Sequence, residues 1–213
     1  MKEWILRLKN ALELPLPGEK AHVLMSPMGR GNTEEYLSKL TQPPRTSAVM
    51  LLLYPVDNEF NIVLIKRPSY DGVHSGQISL PGGKMEESDK DFEDTAIRET
   101  WEETGVEKNT IEILGALSRV YIPPSNFLVY PYIGVCKSAP VFNPDKREVE
   151  NLLFAPVTVL LDDLIVKEEV FKSGLGNGWK VKAPYFEIVG EKVWGATAII
   201  LSEFKEILKS LNV

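Results

Sequence analysis

The sequence predicts an α/β domain in which a β-sheet packs against helices. Two apolar runs, at 45–54 and 61–66, predict buried strands, and the polar residues 57–59 between them predict a hairpin turn. Residues 91–103 show the helical spacing of apolar residues, and a second apolar stripe marks the end of the chain. Apolar residues make up 44% of the 213 residues, which is enough for the core of one domain.

The first 44 residues are predicted to form an extension in front of a main domain at 45–213. Residues 2–14 predict an amphipathic helix, because apolar residues recur on one face and prolines follow it. The rest of the extension is expected to be irregular, apart from a short helix at 33–40.

The second half of the chain continues to mix strand and helix patterns. Apolar and β-branched runs predict strands, and a periodic apolar stripe predicts the C-terminal helix. The predicted strands are 111–120, 128–136, 167–171 and 183–189, and the predicted helices are 158–164 and the segment that begins at residue 193.

The charges limit the kinds of partner that we expect. The formal net charge of −6 comes from 24 basic and 30 acidic residues, and ten of the acids lie between Glu86 and Glu107. The remaining surface is close to neutral, which predicts no nucleic-acid partner. The single Cys136 predicts a buried thiol in a reducing compartment, which we take to be the cytoplasm. The N-terminal residues predict no signal peptide, and no apolar run reaches the roughly 18 residues of a membrane helix.

The acidic segment is predicted to carry a helix at 91–103. Ser88 is its predicted N-cap, and Gly105 is suited to end the last turn. The arc of this helix that is predicted to be buried consists of Ala96, Ile97, Thr100 and Trp101.

Three glutamates project from a different arc of this helix. Glu99, Glu102 and Glu103 stand at i, i+3 and i+4, so their carboxylates share one side. The simplest interpretation is a solvated acidic face, because like charges at this spacing cost only about 0.2–0.5 kcal/mol each. The turn at 81–83 favours a binding site instead, since its glycines let the backbone approach a ligand closely. Oxygen ligands select hard cations such as Mg²⁺ or Mn²⁺, and the chain offers too few Cys and His near this helix for zinc.

The segment that follows the glycine pair resembles the Nudix box, whose usual pattern is G-x5-E-x7-R-E-U-x-E-E-x-G-U, with U a bulky apolar residue. Residues 98–106 match every fixed position except that Thr100 replaces the first apolar residue. The first half of the box is one residue longer than usual, and Asp89 stands at the place of the expected Glu. Either Asp89 takes the role of that Glu, or a neighbouring acid does, Glu86 or Glu87.

The resemblance implies a Mg²⁺- or Mn²⁺-dependent hydrolase of a nucleoside diphosphate linked to another group. Glu99 and Glu103 would be the main metal ligands, with Gly83 assigned to the same site. Glu102 would be a further ligand or the group that activates water, and Arg98 would orient a carboxylate through a charge-assisted hydrogen bond. The implied fold is a mixed, curved β-sheet sandwiched between helices, with the box as a loop–helix–loop.

Residues upstream of the box resemble the extra motif of coenzyme A pyrophosphatases. Residues 64–67 and 74–77 fit that motif, whereas Gly72 stands where the subgroup usually has an Arg. A basic residue in this loop would be expected to hold a 3′-phosphate. Arg67 is the best remaining candidate for contacting substrate phosphate, although a surface Arg at a strand end is an equal interpretation. His74 is a candidate substrate-binding residue or general base, with a loop His bonded to backbone as the alternative.

Three further residues complete the predicted site. Gly82 would bring the backbone close to the substrate, and Phe127 is a candidate to stack on a base, with core packing as the alternative. Glu148 aligns with a loop carboxylate of the coenzyme A subgroup. It is a second candidate for a general base or an outer metal contact, although an ordinary loop glutamate is an equal interpretation.

The leading functional hypothesis is metal-dependent hydrolysis of a pyrophosphate bond in coenzyme A or an acyl derivative, giving adenosine 3′,5′-bisphosphate and 4′-phosphopantetheine. The alternative enzyme is a Nudix pyrophosphatase acting on ADP-ribose, NADH or another nucleoside diphosphate derivative. A third hypothesis is a ligand-sensing module without catalysis, but such modules usually lose box carboxylates that are present here. The expected partner is a small nucleotide diphosphate, with neither nucleic acid nor membrane, and a homodimer is left open.

Overall fold

The computed structural model describes residues 1–68, 76–172 and 180–211. Its α-helices are α1 (Lys2–Leu12), α2 (Glu19–His22), α3 (Thr33–Ser38), α4 (Phe92–Thr104) and α5 (Gly195–Ser210). Its strands are β1 (Arg45–Val56), β2 (Glu59–Lys66), β3 (Ile78–Ser79), β4 (Gly82–Lys84), β5 (Ile111–Ala116), β6 (Val120–Ile122), β7 (Phe127–Cys136), β8 (Asn151–Pro156), β9 (Val166–Lys172), β10 (Lys180–Ile188) and β11 (Glu191–Trp194). Short 3-10 helices lie at Val23–Met25, Lys108–Thr110, Pro123–Ser125, Val157–Leu161 and Asp163–Ile165. Within these ranges, no helix combines the length and the apolar character that a bilayer crossing requires.

The strands of the described residues form one large mixed sheet and one small antiparallel sheet. In the large sheet β1 pairs in parallel with β7 and antiparallel with β2 and β4. Strands β3 and β8 pair with β2, and β5 and β6 pair with β7. The small sheet has the order β11-β10-β9. One parallel pair within an otherwise antiparallel sheet gives the mixed topology that the resemblance to the Nudix box implies.

Helices cover both faces of the large sheet, and β1 lies buried between them. On one face Leu51 and Leu53 join a core that includes Leu8 of α1 and Phe204 of α5. On the other face the alternate residues of β1 pack with Ala96 of α4. A strand that is buried on both faces has a nearly continuous apolar sequence, which is the pattern of β1. The predicted sheet between two helical layers is therefore confirmed.

The predicted strand at 111–120 is confirmed over 111–116 only, because the chain then leaves the sheet and returns to it as β6 at residue 120. Pro131 of β7 stands beside this gap and has no N–H to donate to a paired strand; its carbonyl accepts the Leu117 N–H. The next residue, Ser118, donates two hydrogen bonds to the carboxylate of Glu203 on α5. The carboxylate of Glu203 thus accepts the hydrogen bond from the Ser118 N–H that a neighbouring strand would otherwise accept.

Other elements also differ from the sequence prediction. The predicted helix at 158–164 is two 3-10 turns, separated where the Asp162 side chain accepts the Leu164 N–H. Strands β8 and β11 have no counterpart in the prediction, and the extension contains α2 where irregular structure is expected. Each of these elements is short, so its apolar pattern covers few residues.

Helix α4 begins and ends at specific caps. The predicted N-cap, Ser88, is wrong, since Asp91 occupies that position and its side chain accepts the Asp94 N–H. Gly105 ends the helix in the left-handed conformation, as predicted. Trp101, which is predicted to be buried, is 40% exposed, and its ring lies under the ammonium group of Lys108 at 4.6 Å. A cation–π contact at the surface takes the place of core packing.

A buried carboxylate fastens the extension to α5. Glu203 is fully buried, and its Oε1 accepts the Gly18 N–H (2.8 Å) and the Ser118 hydroxyl (2.6 Å). Its Oε2 accepts the Ser118 N–H (2.9 Å) and lies 3.2 Å from His22 Nε2. Burial alone would raise the pKa of Glu203, but these hydrogen bonds outweigh burial and lower it. The extension therefore packs onto the domain, while a boundary at residue 44 stays a prediction.

We predict that Glu203→Gln lowers the free energy of unfolding by about 3 kcal/mol. An amide has one oxygen, so whichever way it turns, its NH₂ group faces the N–H of Gly18 or of Ser118. Chemical denaturation near neutral pH measures the loss. The matched control is Glu206→Gln, a partly exposed glutamate on the same helix, which should change stability by less than about 1 kcal/mol.

The same carboxylate predicts a pH dependence of stability. Because folding lowers the pKa of Glu203 from 4.5, its stabilising effect is present above that pH and is lost as the pH falls through the folded-state pKa. The stability difference between wild type and Glu203→Gln should therefore shrink in acid. A difference that stays constant from neutral pH into that acid range would contradict this assignment.

Candidate active site

The predicted site residues surround a cavity of about 670 Å³. The cavity is lined by the box on one side, by the extension on another, and by the start of α5. Seven of the predicted site residues line it: Arg67, Gly82, Gly83, Glu99, Glu103, Phe127 and Glu148. Arg98 and Glu102 stand behind this lining, and the predicted residue His74 lies outside the described residues, as does Gly72.

Gly82 brings the backbone of β4 onto the acidic helix. Its φ of 154° favours glycine, and a Cβ atom there would lie 2.4 Å from the carbonyl oxygen of Ala48 on β1. The Gly82 N–H donates a 2.8 Å hydrogen bond to Oε2 of Glu103, which is 2% exposed. The strand reaches the buried carboxylate only without a side chain, while the predicted contact of Gly82 with substrate stays a prediction.

Gly83 lies directly against the carboxylate of Glu99. A Cβ atom at Gly83 would lie 2.4 Å from the Cδ and Oε1 atoms of Glu99. Any larger residue would push this carboxylate away from its place. The glycine pair thus sets the positions of both Glu99 and Glu103, which are successive members of one helix face.

Arg98 uses all five of its N–H donors to organise the box. Its Nε and Nη2 atoms form a bidentate pair with Asp89, at 2.7 and 2.9 Å. Its Nη1 donates to Glu99 and Glu102, at 2.9 Å each, and its Nη2 also donates to the carbonyl of Lys84, at 3.1 Å. A planar guanidinium with every donor engaged has one orientation, so it fixes the carboxylates it contacts.

Of the three acids proposed from the sequence, Asp89 is the one that pairs with Arg98, and its role in place of the expected box Glu stays a prediction. It is buried, whereas Glu86 and Glu87 are exposed. Its Oδ2 also accepts the Glu86 N–H and the Thr95 hydroxyl, both at 2.9 Å. The hydrogen bonds from Arg98 hold the pKa of Asp89 far below its ordinary value. Asp89 thus stays ionised and anchors the guanidinium.

Burial makes the ionised forms of Glu99 and Glu103 unfavourable. Burial raises the pKa of Glu103 to about 8, although Arg67 and the Gly82 N–H act in the opposite direction. Burial also raises the pKa of Glu99, opposed by Arg98 and reinforced by the neighbouring carboxylates of Glu102 and Glu148. Two acids that are hard to ionise alone are well suited to a cation that would stabilise their charge.

Glu99 and Glu103 together form the acidic floor of the cavity, and the remaining predicted residues lie around it. The Nη2 atom of Arg67 is 3.5 Å from Oε1 of Glu103 and donates to the carbonyl of Gly82 at 3.2 Å. Phe127 is half-buried, packs against the core, and lies under the guanidinium of Arg45 at 4.1 Å. Glu148 is exposed on the cavity wall. Glu102 is 39% exposed and points to Arg98, so its carboxylate does not line the cavity.

The donor set fits a hard divalent cation. The cavity lining includes the carboxylates of Glu99, Glu103 and Glu148, and Mg²⁺ and Mn²⁺ prefer oxygen ligands of this kind. Within the described ranges, no three His, Cys, Asp or Glu side chains already surround one point. Glu99 is instead turned to Arg98 and Glu103 to the Gly82 N–H. The assignment of particular metal ligands therefore stays a prediction.

The cavity also contains residues that the sequence does not identify. The extension supplies Pro27, Met28, Gly29, Arg30 and Tyr36 to its wall, and the region where β11 meets α5 supplies Trp194, Gly195, Ala196 and Thr197. The extension carries no motif, so no signal in the sequence could have placed Arg30 at the site.

Comparison with known proteins supports the interpretation of the box. The family model described as "NUDIX domain" matches residues 44–172, more than half of the chain. Nudix hydrolase 15, mitochondrial, of Arabidopsis thaliana is 34% identical over 165 residues, which cover 74% of this chain and 56% of the relative. The chain thus spans little more than half the length of that relative.

Two further likenesses agree with this one. Mitochondrial coenzyme A diphosphatase NUDT8 of Homo sapiens is 31% identical over 165 residues, covering 76% of this chain and 69% of the relative. The crystal structure of RenU, a Nudix hydrolase from M. smegmatis, matches with a TM-score of 0.54 at 14% identity, over 79% of this chain and 88% of that one. The latter likeness concerns the fold alone. The family match and the two sequence relatives show that the chain belongs to the Nudix hydrolase family.

Proposed function

We propose that the protein hydrolyses a pyrophosphate bond in a nucleotide derivative with the help of Mg²⁺ or Mn²⁺. The preferred substrate class is coenzyme A or an acyl derivative, which would give adenosine 3′,5′-bisphosphate and 4′-phosphopantetheine. The observation that carries this proposal is the pair of buried carboxylates, Glu99 and Glu103, set against Gly82 and Gly83 at one end of the cavity.

The residues of the chain have separate roles in this proposal. Arg98, anchored by Asp89, holds Glu99 in one orientation, and the Gly82 N–H does the same for Glu103. Preorganised carboxylates lose little entropy when they bind their ligand. When bound, the divalent cation neutralises charge on the pyrophosphate and lowers the pKa of water. Without a cation, two carboxylates would repel a pyrophosphate from the cavity.

Hydrolysis requires a base as well as a bound pyrophosphate. One P–O bond forms to the oxygen of water, the bridging P–O bond breaks, and the proton of water passes to the base. Glu148 is our proposed base, because its carboxylate lies on the cavity wall near the other two acids. Glu102, the other candidate from the sequence, is engaged by Arg98 outside the cavity lining. Arg67, at the rim of the acidic floor, is the proposed contact for substrate phosphate.

The coenzyme A assignment rests on two lines of support. Residues 64–67 and 74–77 resemble the motif of coenzyme A pyrophosphatases. A relative that is 31% identical is named a coenzyme A diphosphatase. The cytoplasmic location, the homodimer and the lack of a nucleic-acid partner stay predictions, and the relatives named above carry the description "mitochondrial".

Product analysis on a substrate panel tests the proposal. The panel contains coenzyme A, acetyl-coenzyme A, ADP-ribose, NADH and a diadenosine polyphosphate, each with Mg²⁺ and with Mn²⁺. We expect selective cleavage of the coenzyme A compounds. Preference for ADP-ribose or NADH would select the alternative enzyme, and binding without turnover in both metals would select the sensing module.

We predict that Glu103→Gln lowers kcat by at least about 10²-fold, the scale of losing one preorganised electrostatic element. Its amide oxygen can still accept the Gly82 N–H, so the substitution removes charge with little change of shape. The measurement is steady-state turnover of the preferred substrate in Mg²⁺. Glu93→Gln, an exposed glutamate on the same helix outside the cavity, is the matched control and should keep near-normal kcat. Near-normal turnover by Glu103→Gln would remove Glu103 from the metal site.

We predict that Asp89→Asn lowers kcat by about 10–100-fold, because losing a residue that orients a ligand has effects of this size. The amide cannot form the bidentate pair that fixes Arg98, so Glu99 loses its defined orientation. Glu86→Gln and Glu87→Gln are the controls and should leave kcat nearly unchanged. Equal losses in all three variants would contradict the pairing of Asp89 with Arg98.

A further inference from the structure

Arg30 places a cation in the wall of the cavity. Arg30 is half-buried, and its guanidinium is fixed by hydrogen bonds to the carbonyl of Tyr121 (2.7 Å) and to the Ser26 hydroxyl (3.4 Å). Both acceptors are neutral. A guanidinium has five N–H donors, so these two bonds hold the group in place and leave further donors for a ligand.

Among the described residues, no carboxylate lies within ion-pair distance of Arg30. Glu19 acts on Arg30 from farther away, and its Oε1 is engaged by the Thr33 N–H at 2.7 Å. Burial accordingly lowers the pKa of Arg30 from its ordinary value. The other arginines of the site differ, since Arg67 and Arg98 both reach carboxylates of the box. A half-buried cation that has no counter-ion among these residues is stabilised by a ligand that supplies the negative charge.

The strand register shows where Arg30 stands relative to the box. Lys84 of β4 is opposite Ser47 of β1, which is opposite Val129 of β7, which is opposite Val120 of β6. Three spacings of about 4.8 Å place β6 roughly 14 Å across the sheet from β4. Arg30 binds the backbone of Tyr121, next to Val120, so it lies across the cavity from the acidic floor.

The cavity between these two ends is largely apolar. Val49 and Val129 lie on the intervening strands, and Phe127 lies near them. A nucleoside can occupy such a surface, while the charged groups of a ligand are drawn to the two ends. The acidic floor would take the cation and the pyrophosphate. The opposite end offers a fixed guanidinium, whose planar donors match the oxygens of a phosphate.

We propose that Arg30 binds a phosphomonoester that the substrate carries apart from its pyrophosphate. This inference rests on the proposed function and deepens it, since it names a substrate with a third phosphate on the nucleoside. It assigns the selection of that substrate to the extension, whose residues 27–36 bring Arg30 to the cavity. Arg30 then distinguishes phosphorylated from unphosphorylated nucleosides, while the box carries out the hydrolysis.

The test compares coenzyme A with dephospho-coenzyme A, which lacks only the phosphomonoester. We expect Arg30→Gln to lower kcat/KM for coenzyme A by about 10–100-fold, the effect of losing a charge-assisted hydrogen bond, mainly through KM. Turnover of dephospho-coenzyme A should stay near the wild-type value. Arg119→Gln is the matched control, because Arg119 is an exposed arginine paired with Glu34 outside the cavity lining.

The other outcomes either overturn the proposal or lead to a second measurement that still tests it. Equal losses on both substrates would overturn the proposal, because Arg30 would then only support the cavity wall through Tyr121. If wild type cleaves neither compound, the proposed function fails, and calorimetry of adenosine 3′,5′-bisphosphate against 5′-AMP still tests Arg30. Wild type should then prefer the bisphosphate, and Arg30→Gln should abolish that preference; an unchanged preference overturns the inference. If Arg30→Gln does not fold, Arg30→Lys is measured in both assays, and we expect a smaller but equally selective loss.

Discussion

The five hydrogen bonds of Arg98 are the interaction on which the site depends. Three glutamates on one side of a short helix repel one another, and solvent would leave their side chains mobile. The guanidinium bridges two of them and is itself held by Asp89 and by the Lys84 carbonyl. One buried cation thus converts an acidic helix face into a fixed arrangement of carboxylates.

The parts of the fold that could be predicted are those whose pattern is long and local. Strand β1 and its hairpin with β2 follow from two continuous apolar runs, and the box helix and α5 follow from helical periodicity. The break between β5 and β6 could not be predicted, because Ser118 within it finds its hydrogen-bond acceptor on Glu203, 85 residues away. Strands β8 and β11 are short, and they are recognisable only from the strands they pair with.

The same distinction applies to the site. The contacts of Gly82 with Glu103 and of Arg98 with Asp89 lie within one continuous segment, and a sequence motif records them. The motif could not decide between Asp89 and its acidic neighbours, since that choice depends on which side chain the loop turns inward. Arg30 meets Tyr121 across 91 residues without any motif, so only the folded chain brings it to the cavity.

Opposite charges lie at the two ends of the cavity. The acidic floor is costly in the free protein, as the raised pKa of Glu103 indicates, and so is the guanidinium of Arg30 at the other end, to which the described part of the chain offers no ion pair. Each group gains a partner when a ligand with a cation at one end and a phosphate at the other enters the cavity. Charged groups held in an unfavourable environment are typical of a binding site, where the protein loses local stability and gains affinity for its ligand. The buried network of Glu203 offsets it, because it holds the extension, and with it Arg30, against the domain.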